Sequence, residues 1–87
     1  MKISQKDRVA LIRKGNQLFN EGKMEMAEKI FVSISYKDGL IRLGDHYYKK
    51  GQILQALDLY KKAQFQPRIQ ELAEQMLAAL KTWLKEE

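Results

Sequence analysis

The feature that most constrains this chain is an internal repeat, in which position i returns in register at position i+29. Leu11-Ile12-Arg13 recurs as Leu40-Ile41-Arg42, and Gly15 recurs as Gly44. Leu18 and Phe19 return as Tyr47 and Tyr48, Gly22 as Gly51, Ala27 as Ala56, Phe31 as Tyr60 and Ile34 as Ala63. Small, aromatic and turn-forming positions recur together, in one register. A period of this size marks a stacked supersecondary unit that buries its apolar face only against its neighbour.

Each unit reads as two helices. Leu11, Gly15 and Leu18 fall at i, i+4 and i+7, one stripe of a first helix. Gly22 and Gly51 stand where a left-handed C-terminal cap wants a residue without Cβ. The second helices carry Ala27, Ile30, Phe31 and Ile34, then Ala56, Leu59, Tyr60 and Ala63. The small residues at Gly15, Gly44, Ala27 and Ala56 let the two helices of a hairpin approach closely. Sparse Gly, one Pro and abundant helix formers agree with an all-α fold in a single domain of 87 residues.

This pattern resembles the tetratricopeptide repeat (TPR) family over roughly residues 8–67. The second unit matches its motif at Leu40, Leu43-Gly44, Tyr47, Gly51, Ala56, Tyr60 and Ala63, with Pro67 just after. The first unit matches at Leu11, Gly15, Leu18, Gly22, Ala27 and Phe31, with Lys14 and Ile34 as departures. The family's period is about 34 residues. The shortening falls between Ile34 and Leu40, where the connection is expected at about residues 35–39. The resemblance implies a TPR-like α-solenoid of antiparallel hairpins, with repeat 1 at about 8–36, repeat 2 at about 37–66 and a closing helix at about 67–87. About five helices are expected, near 5–21, 24–36, 39–50, 53–65 and 68–85. Ser4 or Asp7 suits the first N-cap, and Pro67 suits the start of the last helix.

The resemblance also implies a function: a protein-interaction scaffold, adaptor or chaperone binding an extended segment or amphipathic helix along its first helices. The corresponding positions are Ile12, Asn16, Phe19 and Asn20, then Ile41, Asp45, Tyr48 and Lys49. Ile12, Phe19, Ile41 and Tyr48 form a second apolar row, which is either an exposed groove rimmed by polar side chains or further core. The carboxylate clamp of chaperone-binding members is not expected, because of its first three positions Ile12 and Arg42 replace a Lys and an Asn and Asn16 alone is kept. Arg42 and Lys49 suit an acidic partner.

The closing segment carries Ile69, Leu72, Ala73, Met76 and Leu80 on one stripe, as a third first helix without a partner. Its final turns hold Leu77, Leu80, Trp83 and Leu84. Trp83 either folds back on Tyr60 or Phe65, or anchors self-association, most simply in a homodimer.

The formal charge is +5, which raises nucleic acid as a partner. The basic residues are interleaved with acids, however, and the Lys49-Lys50 and Lys61-Lys62 pairs fall at helix ends, where the helix dipole favours them. Protein is the expected partner, rather than nucleic acid, membrane or a small-molecule substrate. Without Cys, and with His46 alone, neither thiolate or imidazole metal sites nor His-based catalytic machinery can be assembled. A non-enzymatic, cytoplasmic protein without metal or cofactor is the expectation.

Overall fold

The computed structural model describes residues 3–85, all of whose regular structure is helical. Five helices follow in order: α1 (Gln5–Asn20), α2 (Met24–Ser33), α3 (Lys37–Lys49), α4 (Ile53–Lys62) and α5 (Gln66–Lys85). The expected positions at Met1, Lys2, Glu86 and Glu87 lie outside the described residues. α1 packs on α2 and α3 on α4, each pair as a hairpin; α2 then packs on α3 and α4 on α5. No described helix is long and apolar enough to cross a membrane.

One device ends the first four helices. Gly22 (φ 81°) and Gly51 (φ 79°) take the left-handed conformation foreseen for them. Lys23 N–H donates to Leu18 C=O and Gly22 N–H to Phe19 C=O; Gln52 and Gly51 repeat this on Tyr47 and Tyr48. These are Schellman closures, which satisfy carbonyls that a helix end leaves unpaired. α2 and α4 close identically, but with Ser35 (φ 52°) and Gln64 (φ 56°) in the left-handed position. What offsets that strain is the aromatic residue that follows. The Tyr36 ring lies 5.6 Å from Phe31, and the Phe65 ring 6.4 Å from Tyr60. Such a contact between the residue after the cap and the last turn accompanies this motif. Gln64→Gly should therefore raise stability by about 0.5–1 kcal/mol, read from urea unfolding followed by circular dichroism.

The expected second helices ran to residues 36 and 65, and they stop at Ser33 and Lys62 because of these closures. The expected connection at 35–39 is likewise shorter, and Gly39 belongs to α3. Its role is packing. A Cβ built on Gly39 would lie 2.6 Å from Phe31 Cδ2, and one on Gly15 would lie 2.4 Å from Phe31 Cε1. The Phe31 ring thus sits between two helix backbones, α1 on one side and α3 on the other. In the next unit Tyr60 presses on Gly44 in the same way, at 2.5 Å. The repeat equivalent of Gly39 is Arg68, whose guanidinium lies over the Tyr60 ring at 5.9 Å from its centroid.

These contacts organise the core. Leu18, Ala27, Phe31, Leu40, Leu43, Leu59 and Ala63 form one buried cluster, and Ala56, Tyr60 and Leu72 form a second beneath α5. Ser4 caps α1 by accepting from Asp7 N–H at 3.1 Å. Arg8 Nη1 donates to Ile34 C=O at the end of α2, tying the start of α1 to the close of its hairpin partner.

Along α5 the expected apolar stripe is buried only at Leu72; Ile69 and Met76 are half-buried, and Ala73 and Leu80 are exposed. The last turns do not fold back. Trp83 is 74% exposed and Leu84 72%. The molecule measures 57 × 25 × 17 Å with a radius of gyration of 15.7 Å. A compact chain of this length has a radius near ~12 Å. The projecting half of α5 contributes on the order of 15 Å to the long axis.

Candidate functional site

The first-helix residues singled out above lie on α1 and α3, and one arginine ties α1 to α3 while another ties α3 to the start of α5. Asn16 and Phe19 are one turn apart on α1. Arg42 of α3 donates from Nη1 to Asn16 Oδ1 at 2.9 Å and lays its guanidinium 4.5 Å from the centroid of the Phe19 ring. Asp45 and Tyr48 are the same two positions in the next unit. There Arg68 of α5 approaches Asp45 Oδ1 at 3.7 Å and lies 5.6 Å from the Tyr48 ring centroid. An arginine over an aromatic face is attracted by the ring quadrupole while its fork stays free for an acid or amide. The arrangement repeats, although the arginines are not equivalent positions. The repeat equivalent of Arg42 is Glu71, which itself receives Arg68 Nη1 at 3.1 Å.

Asp45 also accepts a short hydrogen bond from the Tyr60 hydroxyl, joining α3 to α4. Burial, then the bond to Asp45, raises the Tyr60 hydroxyl far above its ordinary value, so it stays a donor. The Tyr48 hydroxyl lies 3.4 Å from the Gln75 amide nitrogen, a second tie from α3 to α5. Arg68 Nε is buried without a hydrogen-bond partner.

Between Phe19 and the end of α3 a half-open cleft of about 470 Å³ is lined by Phe19, Arg42, Asp45, His46, Lys49 and Lys50. His46 makes edge-to-face contacts with Phe19, centroids 5.9 Å apart, and with Tyr47 at 5.3 Å. Burial by these rings, helped by the nearby Lys50, lowers its pKa below the ordinary 6.5. His46 is therefore a neutral ring wall of the cleft at physiological pH.

The remaining candidates separate. Ile12 and Asn16 are half-buried, and Asn20 is exposed at the end of α1. Ile41 is half-buried, like Phe19 and Tyr48, and packs against both core clusters. Phe19 and Tyr48 are half-buried against the core and partly roofed by their arginines, so the apolar row is neither an open groove nor full core. Leu77, Leu80, Trp83 and Leu84 stand more than half exposed on the projecting part of α5. A shallow apolar hollow lined by Met76, Ala79, Leu80, Thr82 and Trp83 lies along that stretch. Sequence reasoning missed His46, Lys50 and Arg68. The pairing of Lys50 with Lys49 was visible, while the placement of Arg68 depends on how α5 crosses α4. Among the described residues no cluster of His, Asp or Glu could hold a metal ion.

No family model and no solved structure matches this chain. It is similar to an uncharacterized protein of Treponema pallidum (strain Nichols), with 45% identity over 58 residues. That match takes in 67% of this chain and 56% of the relative, so it spans little more than half of the relative's length.

Proposed function

We propose that this chain is a TPR-like interaction module, a cytoplasmic adaptor or chaperone whose two hairpins and closing helix present the α1/α3 surface to an acidic partner segment. The observation that carries this reading is the cleft itself. Arg42, Lys49 and Lys50 outnumber Asp45 around an aromatic floor of Phe19 and His46. Such a lining fits a peptide that alternates a carboxylate with an apolar or aromatic side chain. The carboxylate meets the lysines and the free edge of Arg42, and the apolar group meets the Phe19 ring. A neutral His46 adds no charge to the floor at physiological pH. The rest of the surface is held rigid by the arginine clamps, so little side-chain entropy is lost on binding. No catalytic role is assigned to any of these groups.

The test reverses charge at two side chains that make no hydrogen bond or ion pair within the described residues. Lys49 and Lys50 are exposed at the end of α3. Lys49→Glu with Lys50→Glu should leave the circular dichroism spectrum unchanged and abolish affinity capture of the wild-type partner set. Unchanged capture would remove the cleft from the account. Capture that depends only on bulk charge and collapses equally at moderate salt, with nucleic acid in the eluate, would favour a nucleic-acid partner instead.

A further inference from the structure

We infer that the projecting half of α5 is an interface for a second copy of this chain, paired antiparallel about a two-fold axis near residue 78. This rests on a different observation from the cleft and stands independently of it.

α5 occupies the place of a third first helix, since its first residue, Gln66, is the repeat equivalent of Lys37, where α3 starts. No hairpin partner covers it among the described residues, and its outer stripe is apolar: Ala73, Met76, Leu77, Leu80, Trp83 and Leu84. Leu77 is 53% exposed and Leu80 54%, with Trp83 and Leu84 more so. Together they make a patch on the order of several hundred Å², at or above the size usual for a monomer's largest. The obvious occupant, another second helix of the repeat type, is excluded by the repeat's own geometry. Those helices close by pressing a ring onto a glycine, and a Cβ at Gly44 would lie 2.5 Å from Tyr60. The equivalent position on α5 is Ala73, which carries that Cβ. A ring-on-backbone hairpin cannot form there, whereas a helix seated at the wider spacing of an ordinary Leu seam can.

The spacing of the stripe supplies such a seam. Ala73, Met76, Leu77, Leu80, Trp83 and Leu84 recur in a heptad pattern with three apolar positions, the pattern of a helix paired with another along its length. Charge selects the direction. Glu74 and Lys81 lie on the same flank of that stripe, one towards each end, with Gln70 and Lys85 beyond them. In an antiparallel pair a flank meets the same flank of its copy. Glu74 of one copy then faces Lys81 of the other, twice by symmetry, and Gln70 faces Lys85 about the same centre. A parallel pair would set this flank against the opposite one, where Leu72 and Ala79 offer no charge to meet Glu74 or Lys81. The antiparallel register also brings Trp83 to the level of Ala73 on the other copy, where the small side chain leaves space for the indole.

Sedimentation velocity of the intact chain should give twice the 10.2 kDa chain mass at high micromolar concentration. Emission of the sole tryptophan, Trp83, should move to longer wavelength on dilution as the indole returns to water. Leu80→Asp with Trp83→Asp should sediment as a monomer with unchanged helical content, since both side chains are exposed. Glu74→Lys or Lys81→Glu alone should raise the dimer Kd about fivefold to tenfold, and the two together should restore it. A wild-type chain that remains monomeric throughout overturns the proposal, as does a dimer that survives Leu80→Asp with Trp83→Asp. Equal weakening by the single and the paired charge reversals overturns the antiparallel arrangement.

Discussion

Replacing Phe31 with alanine should cost about 3–5 kcal/mol, among the largest losses expected of any single truncation in this chain. The ring is fully buried and lies between the backbones of α1 and α3, with the tilted Tyr36 ring 5.6 Å away. Removing it empties a space that neither neighbour can collapse into, because Gly15 and Gly39 bring no side chains with which to fill it. Small domains have about 5–15 kcal/mol in all, so the variant is expected to be largely or partly unfolded at physiological temperature. Phe31→Leu keeps most of the volume and should lose a smaller part. Urea unfolding followed by helical circular dichroism reads both. Equal stability of Phe31→Ala and wild type would mean that the ring is not the keystone between hairpins.

The second large effect comes from the other side of the same contact. Gly39→Ala should improve helix propensity by ~1 kcal/mol and still destabilise the protein. The new Cβ would meet Phe31 ring carbons at 2.6–2.7 Å, and Gly15 blocks the ring's retreat on the far side. Overpacking of this kind costs about 1–3 kcal/mol and leaves a net loss. The sign is the sharper prediction. In the Phe31→Leu background the ring is gone, the propensity gain remains, and Gly39→Ala should become neutral or stabilising. A double-mutant cycle measures that coupling directly. Additive effects would contradict the packing described for Gly39.

How much of this was legible beforehand divides by range. The repeat register, the two hairpins and the left-handed glycines were readable because each depends on spacing or on the local backbone. Gly39 was not. As a glycine in a short connection it suggested a linker, and only the ring of Phe31, arriving from the preceding helix, shows it to be a packing site. Ser35 and Gln64 carried no sign of their left-handed conformation, since the contacts that hold them there involve Tyr36 and Phe65. The candidate surface was read in the same partial way. Asn16, Phe19, Asp45 and Tyr48 follow from the repeat, and Arg42 was named among them. Arg68, which clamps the second set, sits one helical turn earlier than the repeat would place it. Ile41 was assigned to the surface through the family resemblance; it is half-buried and also packs against both core clusters. The two readings of Trp83 could not be separated from the sequence, because folding back depends on a bend that α5 does not make.

The central claim is that two short hairpins are locked ring-on-glycine into one rigid stack, from which the α1/α3 cleft and the α5 stripe are presented. Nuclear Overhauser contacts of the Phe31 ring protons in the intact chain test it most directly. The account predicts cross-peaks to the α-protons of both Gly15 and Gly39, with those protons shifted upfield by the ring current. Cross-peaks to Gly15 alone, with Gly39 α-protons at ordinary helical shifts, would mean that the two hairpins do not stack as described and would contradict it.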